Sequence, residues 1–124
     1  MTSASRRTVL VVDDDDDMRA LQATFLRRCG HDVVLAADAR EALRLLAGGL
    51  RPGVILLDFH LPDMDARALR AAQRERALAL DVPVILYSAD PDVSGDGIDA
   101  VAVLVYPIDL NDLGVLVDAV CARS

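Results

Sequence analysis

A chain of 124 residues has room for one domain and one core, so a single fold must carry whatever it does. A formal charge of −7, most of the acid being Asp, argues against a nucleic-acid partner, and since all 13 Lys+Arg residues are arginines, P-loop and Schiff-base chemistry, which need an amine, are excluded. Cys29 and Cys121 stand far apart with neither metal-ligand spacing nor a CxxC pair, the start from Met1 to Thr8 has no signal-peptide apolar region, and no apolar run has membrane length. The expectation is a soluble cytoplasmic protein with reduced thiols and a disordered N-terminus over 1–7 ahead of one domain over 8–124.

In chain order, Val9-Leu10-Val11-Val12 is a short apolar run halted by five consecutive aspartates, Asp13 to Asp17, a residue type that strands exclude. A strand ending near Asp13 is followed by helical spacing of Leu21, Phe25 and Leu26, with Gly30 as the stop and the later aspartates at the helix N-terminus, where the dipole favours them. His31 to Ala36 predicts a second strand, with His31 read as a surface residue after the turn. Asp38 and Glu41 then form a capping-box-like start to a helix ending near Gly48-Gly49. Val54-Ile55-Leu56-Leu57-Asp58 has the continuous apolar character of a buried parallel strand. A helix from about Asp65 to Ala79 follows, its apolar face set against Arg67, Arg70, Arg74 and Arg76, and Val82 to Tyr87 predicts a fourth strand ending in Ser88. The breakers in 91–97 make a fourth helix short or absent. Ala100 to Val105 is a fifth strand before Tyr106-Pro107, and Asp109 caps a last helix.

This alternation implies an α/β fold, a doubly wound five-stranded parallel sheet with helices on both faces joined by right-handed crossovers. Ligands of such sheets bind at the carboxyl edge of the strands. Asp58 standing there is either a site carboxylate or a turn residue. The topology gathers Asp13, Asp14, Asp58, Ser88 and Tyr106 on that edge. Two bare charges about 4 Å apart repel by roughly 4 kcal/mol at an effective dielectric near 20, so three carboxylates call for a cation or a proton. Mg²⁺, which takes oxygen ligands and leaves positions open to water and phosphate, is the economical answer. Ser88 is a neutral donor for a phosphoryl oxygen.

Val9 to Asp14, Val54 to Asp58, Leu61-Pro62-Asp63-Met64-Asp65 and Pro83 to Ser88, in this order and at these separations, resemble the receiver (CheY-like) domain of two-component response regulators over nearly the whole chain. The resemblance implies a flavodoxin-like sheet of order 2-1-3-4-5. It implies that Asp58 takes a phosphoryl group from a sensor histidine kinase or a histidine phosphotransfer protein, that Asp13, Asp14, Asp58 and the backbone carbonyl of His60 hold Mg²⁺, and that Ser88 hydrogen-bonds the phosphoryl group. The His60 side chain reads as a rim residue, and Tyr87 and Phe59 as packing.

The chain departs from the family pattern at several positions. Tyr106 stands where the family has a lysine, so a charge-assisted hydrogen bond worth about 1.5–3 kcal/mol gives way to a neutral one worth roughly 1. An arginine from elsewhere could compensate. Tyr106-Pro107 is a candidate cis peptide. Val103 replaces the frequent switching aromatic, Ala66 replaces a common glycine, and the weak fourth helix alters a face that the family often uses for output and dimerisation.

The expectation is a stand-alone, non-enzymatic phosphoacceptor signalling through protein contacts with an unknown downstream protein, with homodimer formation open to it. One alternative is a phosphorylation-independent pseudo-receiver. The other is a small phosphatase of the haloacid-dehalogenase type, on the strength of Asp13-x-Asp15 after a strand; it lacks the Thr or Val expected at Asp17 and a cap domain.

Overall fold

The computed structural model describes residues 8–93 and 97–122; the expectation for 1–7 lies outside them. The elements are β1 (Thr8–Val12), α1 (Asp16–Arg28), β2 (Asp32–Ala36), α2 (Ala39–Ala47), β3 (Val54–Asp58), α3 (Ala66–Arg76), β4 (Val84–Ser88), β5 (Ala102–Val105) and α4 (Leu110–Ala122). All strand pairs are parallel, in the order β2-β1-β3-β4-β5, as expected of a doubly wound sheet. No described helix is long and apolar enough to cross a membrane.

Alternation along the strands sorts the core into two layers. Leu10, Val12, Ile55, Leu57, Val84 and Leu86 pack with Ala42, Leu43 and Leu46 of α2 and Leu69 of α3. Val9, Val11, Val54, Leu56, Ile85 and Tyr87 pack with Leu26 of α1 and with Leu113 and Val117 of α4. Because the central strands are covered on both faces, they read as unbroken apolar runs. In α4, Gly114 admits the edge of the Phe25 ring: a Cβ there would lie 2.8 Å from the ring carbon.

The aspartate run divides by geometry. Asp15 is the N-cap of α1, its carboxylate accepting from the Asp17 and Met18 amides, and Asp16 and Asp17 sit in the first turn. Arg19, one turn on, donates through Nη1 to the Asp13 carbonyl at 2.7 Å and pairs with Asp16. Asp38 caps α2 through the Glu41 amide, and Glu41 returns a bond to the Ala37 amide. Asp63, from the loop after β3, accepts from the Ala39 and Arg40 amides, so that loop is tied to the start of α2.

Three expectations are corrected. His31 is not a surface residue: its side chain is 4 % exposed and its Nε2 lies 2.6 Å from Asp118 of α4, a partner that no local pattern announces. The third helix stops at Arg76, not Ala79, because Ala77 takes the left-handed conformation (φ 53°) and the Leu78 amide closes onto the Gln73 carbonyl. Arg70 does not lie on the outer face of that helix. It is buried, donating to the Ile98 carbonyl and to Gln73 Oε1, both at 2.8 Å, while Arg74 bonds the Gly97 carbonyl and pairs with Asp99.

Those two arginines account for the region between β4 and β5. Among the described residues no helix lies there, 94–96 being outside them. Arg70 and Arg74 of α3 hold the 97–99 stretch by its backbone, and Ile98 drops into the core. Among the described residues, Ile98, with Val93 and Ala100 packed beside it, stands where a helix face would, and these do not cover β5. Val101, Val103 and Val105 are therefore 52, 39 and 42 % exposed on the side where α2 and α3 cover the other strands.

Candidate functional site at the carboxyl edge of the sheet

β1 and β3 are adjacent and in register, Val12 beside Leu57, so the residues that follow them emerge side by side. Asp13, Asp14 and Asp58 each bring a carboxylate oxygen to within 4.8 Å of the others. Their surroundings differ. Asp13 is fully buried, with Oδ1 accepting from the Asp15 amide at 2.9 Å and Oδ2 from the Tyr87 hydroxyl at 2.8 Å. Asp14 is exposed, and Asp58 is half-buried, with Oδ1 accepting from the His60 amide at 3.2 Å.

Burial, then the charge of Asp13, push the Asp58 carboxyl up to about 6, and burial likewise raises Asp13 against the hydrogen bonds from Asp15 and Tyr87. A carboxylate cluster that raises its own proton affinity is one that a hard cation stabilises. These donors fit Mg²⁺: all are oxygens, one is exposed and one half-exposed, so room for water and phosphate oxygens remains.

Ser88 ends β4 and is buried; its Oγ accepts from the Asp90 amide at 3.0 Å, which uses a lone pair and leaves the hydroxyl proton as a donor. Tyr106 follows β5, its amide bonded to the Ser88 carbonyl, and the Tyr106-Pro107 peptide is cis. Burial first, then the Asp13 and Asp58 charges, raise the Tyr106 phenol well above its ordinary pKa, so it remains neutral. His60 lies exposed on the rim, its backbone paired antiparallel with that of Asp65, and its ring meets Phe59 edge-on at 4.9 Å between centroids. Phe59 is buried beside Asp58 with the Arg67 guanidinium 5.0 Å from its ring centre.

Sequence reasoning passed over Tyr87, read as packing. Its ring is packing, but its hydroxyl reaches Asp13 and lies 3.4 Å from Gln22 Oε1, and its ring meets that of Tyr106 edge-on at 5.6 Å. The available signal was a phenol in an otherwise apolar buried strand, since a buried Tyr hydroxyl usually has a partner.

Known proteins resemble the chain in sequence and fold. Residues 9–116 match the response regulator receiver domain family. The chain is 40 % identical over 126 residues to the transcriptional regulatory protein PrrA of Mycobacterium leprae, covering 98 % of this chain and 53 % of that protein. It is 31 % identical to the regulatory protein AtoC of Escherichia coli, over 94 % of this chain and 25 % of that one. It thus spans about half the length of the PrrA relatives it matches. Among solved structures, the receiver domain of the Francisella response regulator 1452 superposes with a TM-score of 0.84 at 28 % identity, covering 95 % of this chain and 98 % of that one. The chemotaxis response regulator CheY4 of Vibrio cholerae does so with a TM-score of 0.82 at 28 % identity, covering 93 % and 98 %. With the family match running from β1 into α4 and the sheet order in agreement, the chain belongs to the response regulator receiver domain family.

Proposed function

We propose that this receiver domain accepts a phosphoryl group on Asp58 in a Mg²⁺-dependent reaction and passes the signal on by protein-protein contact in the cytoplasm. The observation that carries this reading is the convergence of Asp13, Asp14 and Asp58 within 4.8 Å at the carboxyl edge of a receiver-type sheet. The donor is a sensor histidine kinase or a histidine phosphotransfer protein, and the recipient of the signal is a downstream protein or a second copy of the chain.

The His60 amide engages Asp58 Oδ1, which leaves Oδ2 as the attacking oxygen. As that oxygen bonds to phosphorus, the phosphorus–nitrogen bond of the donor breaks and the imidazole takes its electron pair. Asp13, Asp14, Asp58 and the His60 carbonyl would hold Mg²⁺, which when bound offsets charge on the carboxylates and the phosphoryl oxygens. Ser88 turns its hydroxyl proton toward one phosphoryl oxygen, and Tyr106 offers another a neutral hydrogen bond in place of an ion pair. The substitution costs the phosphorylated state roughly a kcal/mol relative to a charged donor, so labelling is slow or short-lived but present. The phosphatase alternative is weakened because Asp15, its second aspartate, is held as the N-cap of α1 through Oδ1.

Intact mass followed during incubation with Mg²⁺ and acetyl phosphate tests this. One phosphoryl group is expected on the wild type, none on Asp58→Ala and none in EDTA. An unlabelled wild type, under conditions that label an ordinary receiver, would reject the phosphoacceptor and favour the pseudo-receiver.

A further inference from the structure

Tyr87 lies on the sheet face opposite that of Ser88, yet its hydroxyl is aimed at the acidic pocket. Both residues it touches there are fully buried: Asp13, at 2.8 Å, and Gln22 of α1, at 3.4 Å. The Asp13 carboxylate is held at both ends, Oδ1 by the Asp15 amide and Oδ2 by the phenol, so its plane and rotation are set before any ion arrives. The Tyr87 ring is itself fixed, lying in the layer between the sheet and α4 with Tyr106 edge-on against it at 89°. A hydrogen-bond donor locked onto a ligating carboxylate is the arrangement by which outer-layer residues orient metal ligands.

We propose that Tyr87 is a positioning residue for the metal site, orienting Asp13 so that its remaining lone pairs, with those of Asp14 and Asp58, present a preformed face to Mg²⁺. The inference rests on the Mg²⁺ reading of the pocket. The Tyr106 phenol also interacts with the Asp13 carboxylate, and its ring packs edge-on against that of Tyr87. A carboxylate without the Tyr87 bond keeps its charge but is freer to rotate, and the ion must then order it.

Mg²⁺ titrations followed by backbone amide NMR shifts, with no phosphodonor present, test the idea and report folding in the same spectra. Tyr87→Phe keeps the ring and its contact with Tyr106, and is expected to weaken Mg²⁺ binding about tenfold. In an Asp13→Ala background, which leaves the phenol no oxygen at this position, the same change should produce no further loss; a general structural weakening would appear in both. Equal or tighter binding by Tyr87→Phe overturns the inference while leaving the Mg²⁺ reading intact, and a wild type that binds no Mg²⁺ overturns both. Should Tyr87→Phe lose its dispersed spectrum, tyrosine absorbance of Tyr106→Phe decides, since the chain has two tyrosines and no tryptophan. A shift that saturates with Mg²⁺ in Tyr106→Phe, where Tyr87 is the sole phenol, supports the assignment, and a flat response refutes it.

Discussion

β3 and β5 lie on either side of β4 and are both predominantly apolar, yet their burial differs sharply. Val54 to Leu57 of β3 are enclosed on both faces, whereas β5 alternates half-buried Ala102 and Leu104 with exposed Val103 and Val105. Apolar strand sequence therefore does not say how many layers cover it; the helices around it do. The consequence is functional. Asp58 inherits a rigid, dry support that raises its proton affinity, while Tyr106, at the end of the open strand, leans on Tyr87 for its placement.

The largest effect that would break this contrast is in the core. Leu56→Ala removes a fully buried side chain packed between β3 and α4 and should cost about 2–5 kcal/mol, read from urea unfolding. A loss below 1 kcal/mol would mean that β3 is no better packed than β5.

A smaller effect separates the metal-free and metal-bound states. Asp58 has its folded pKa raised from 3.8 to about 6, so the folded chain binds its proton more tightly than the unfolded one. The stability it contributes is complete below the unfolded value and is lost as pH rises through about 6. In EDTA, Asp58→Asn should gain on the wild type as pH goes from 5 to 7.5, by about 1 kcal/mol after allowing for half-burial. Saturating Mg²⁺ should close that gap. Asp63 runs the other way. Burial raises it, but the amides of Ala39 and Arg40 and of its own loop prevail and lower it, so its contribution is lost as pH falls. Thermal midpoints of the two proteins across that pH range, with and without Mg²⁺, check the sign, and a gap that does not move with pH would sink the argument.

How much of this could be seen beforehand follows from the range of the forces involved. The runs Val9 to Val12 and Val54 to Leu57, each ending in aspartate, are local patterns, so the strands and the meeting of Asp13, Asp14 and Asp58 at one edge were legible, while the strand order came with the resemblance to receiver domains. Arg70 was not, because its acceptor at Ile98 is 28 residues on, nor was His31, whose partner Asp118 is 87 residues away. The end of α3 escaped because Ala77 carries no stop signal and is placed in the left-handed region by the bonds around it. Tyr87 was hidden by its own hydrophobicity: the ring satisfies the strand pattern, and only the geometry shows where the hydroxyl goes.

The smallest effect is at the open strand. Val103 pairs with Leu86 across the β4–β5 ladder, yet Leu86 is fully buried and Val103 is 39 % exposed, so the same sheet face is core on one strand and surface on the next. Val103→Thr keeps the β-branched shape and the strand propensity while placing a hydroxyl where water already reaches it. It should change stability by less than about 0.5 kcal/mol. The same exchange at Val84, buried on the layer toward α2 and α3, would strand a hydroxyl among apolar neighbours at about 1–3 kcal/mol. Urea unfolding of the two variants side by side is decisive. Equal losses would show that β5 is covered in solution after all, and that the exposed valines are part of a closed core.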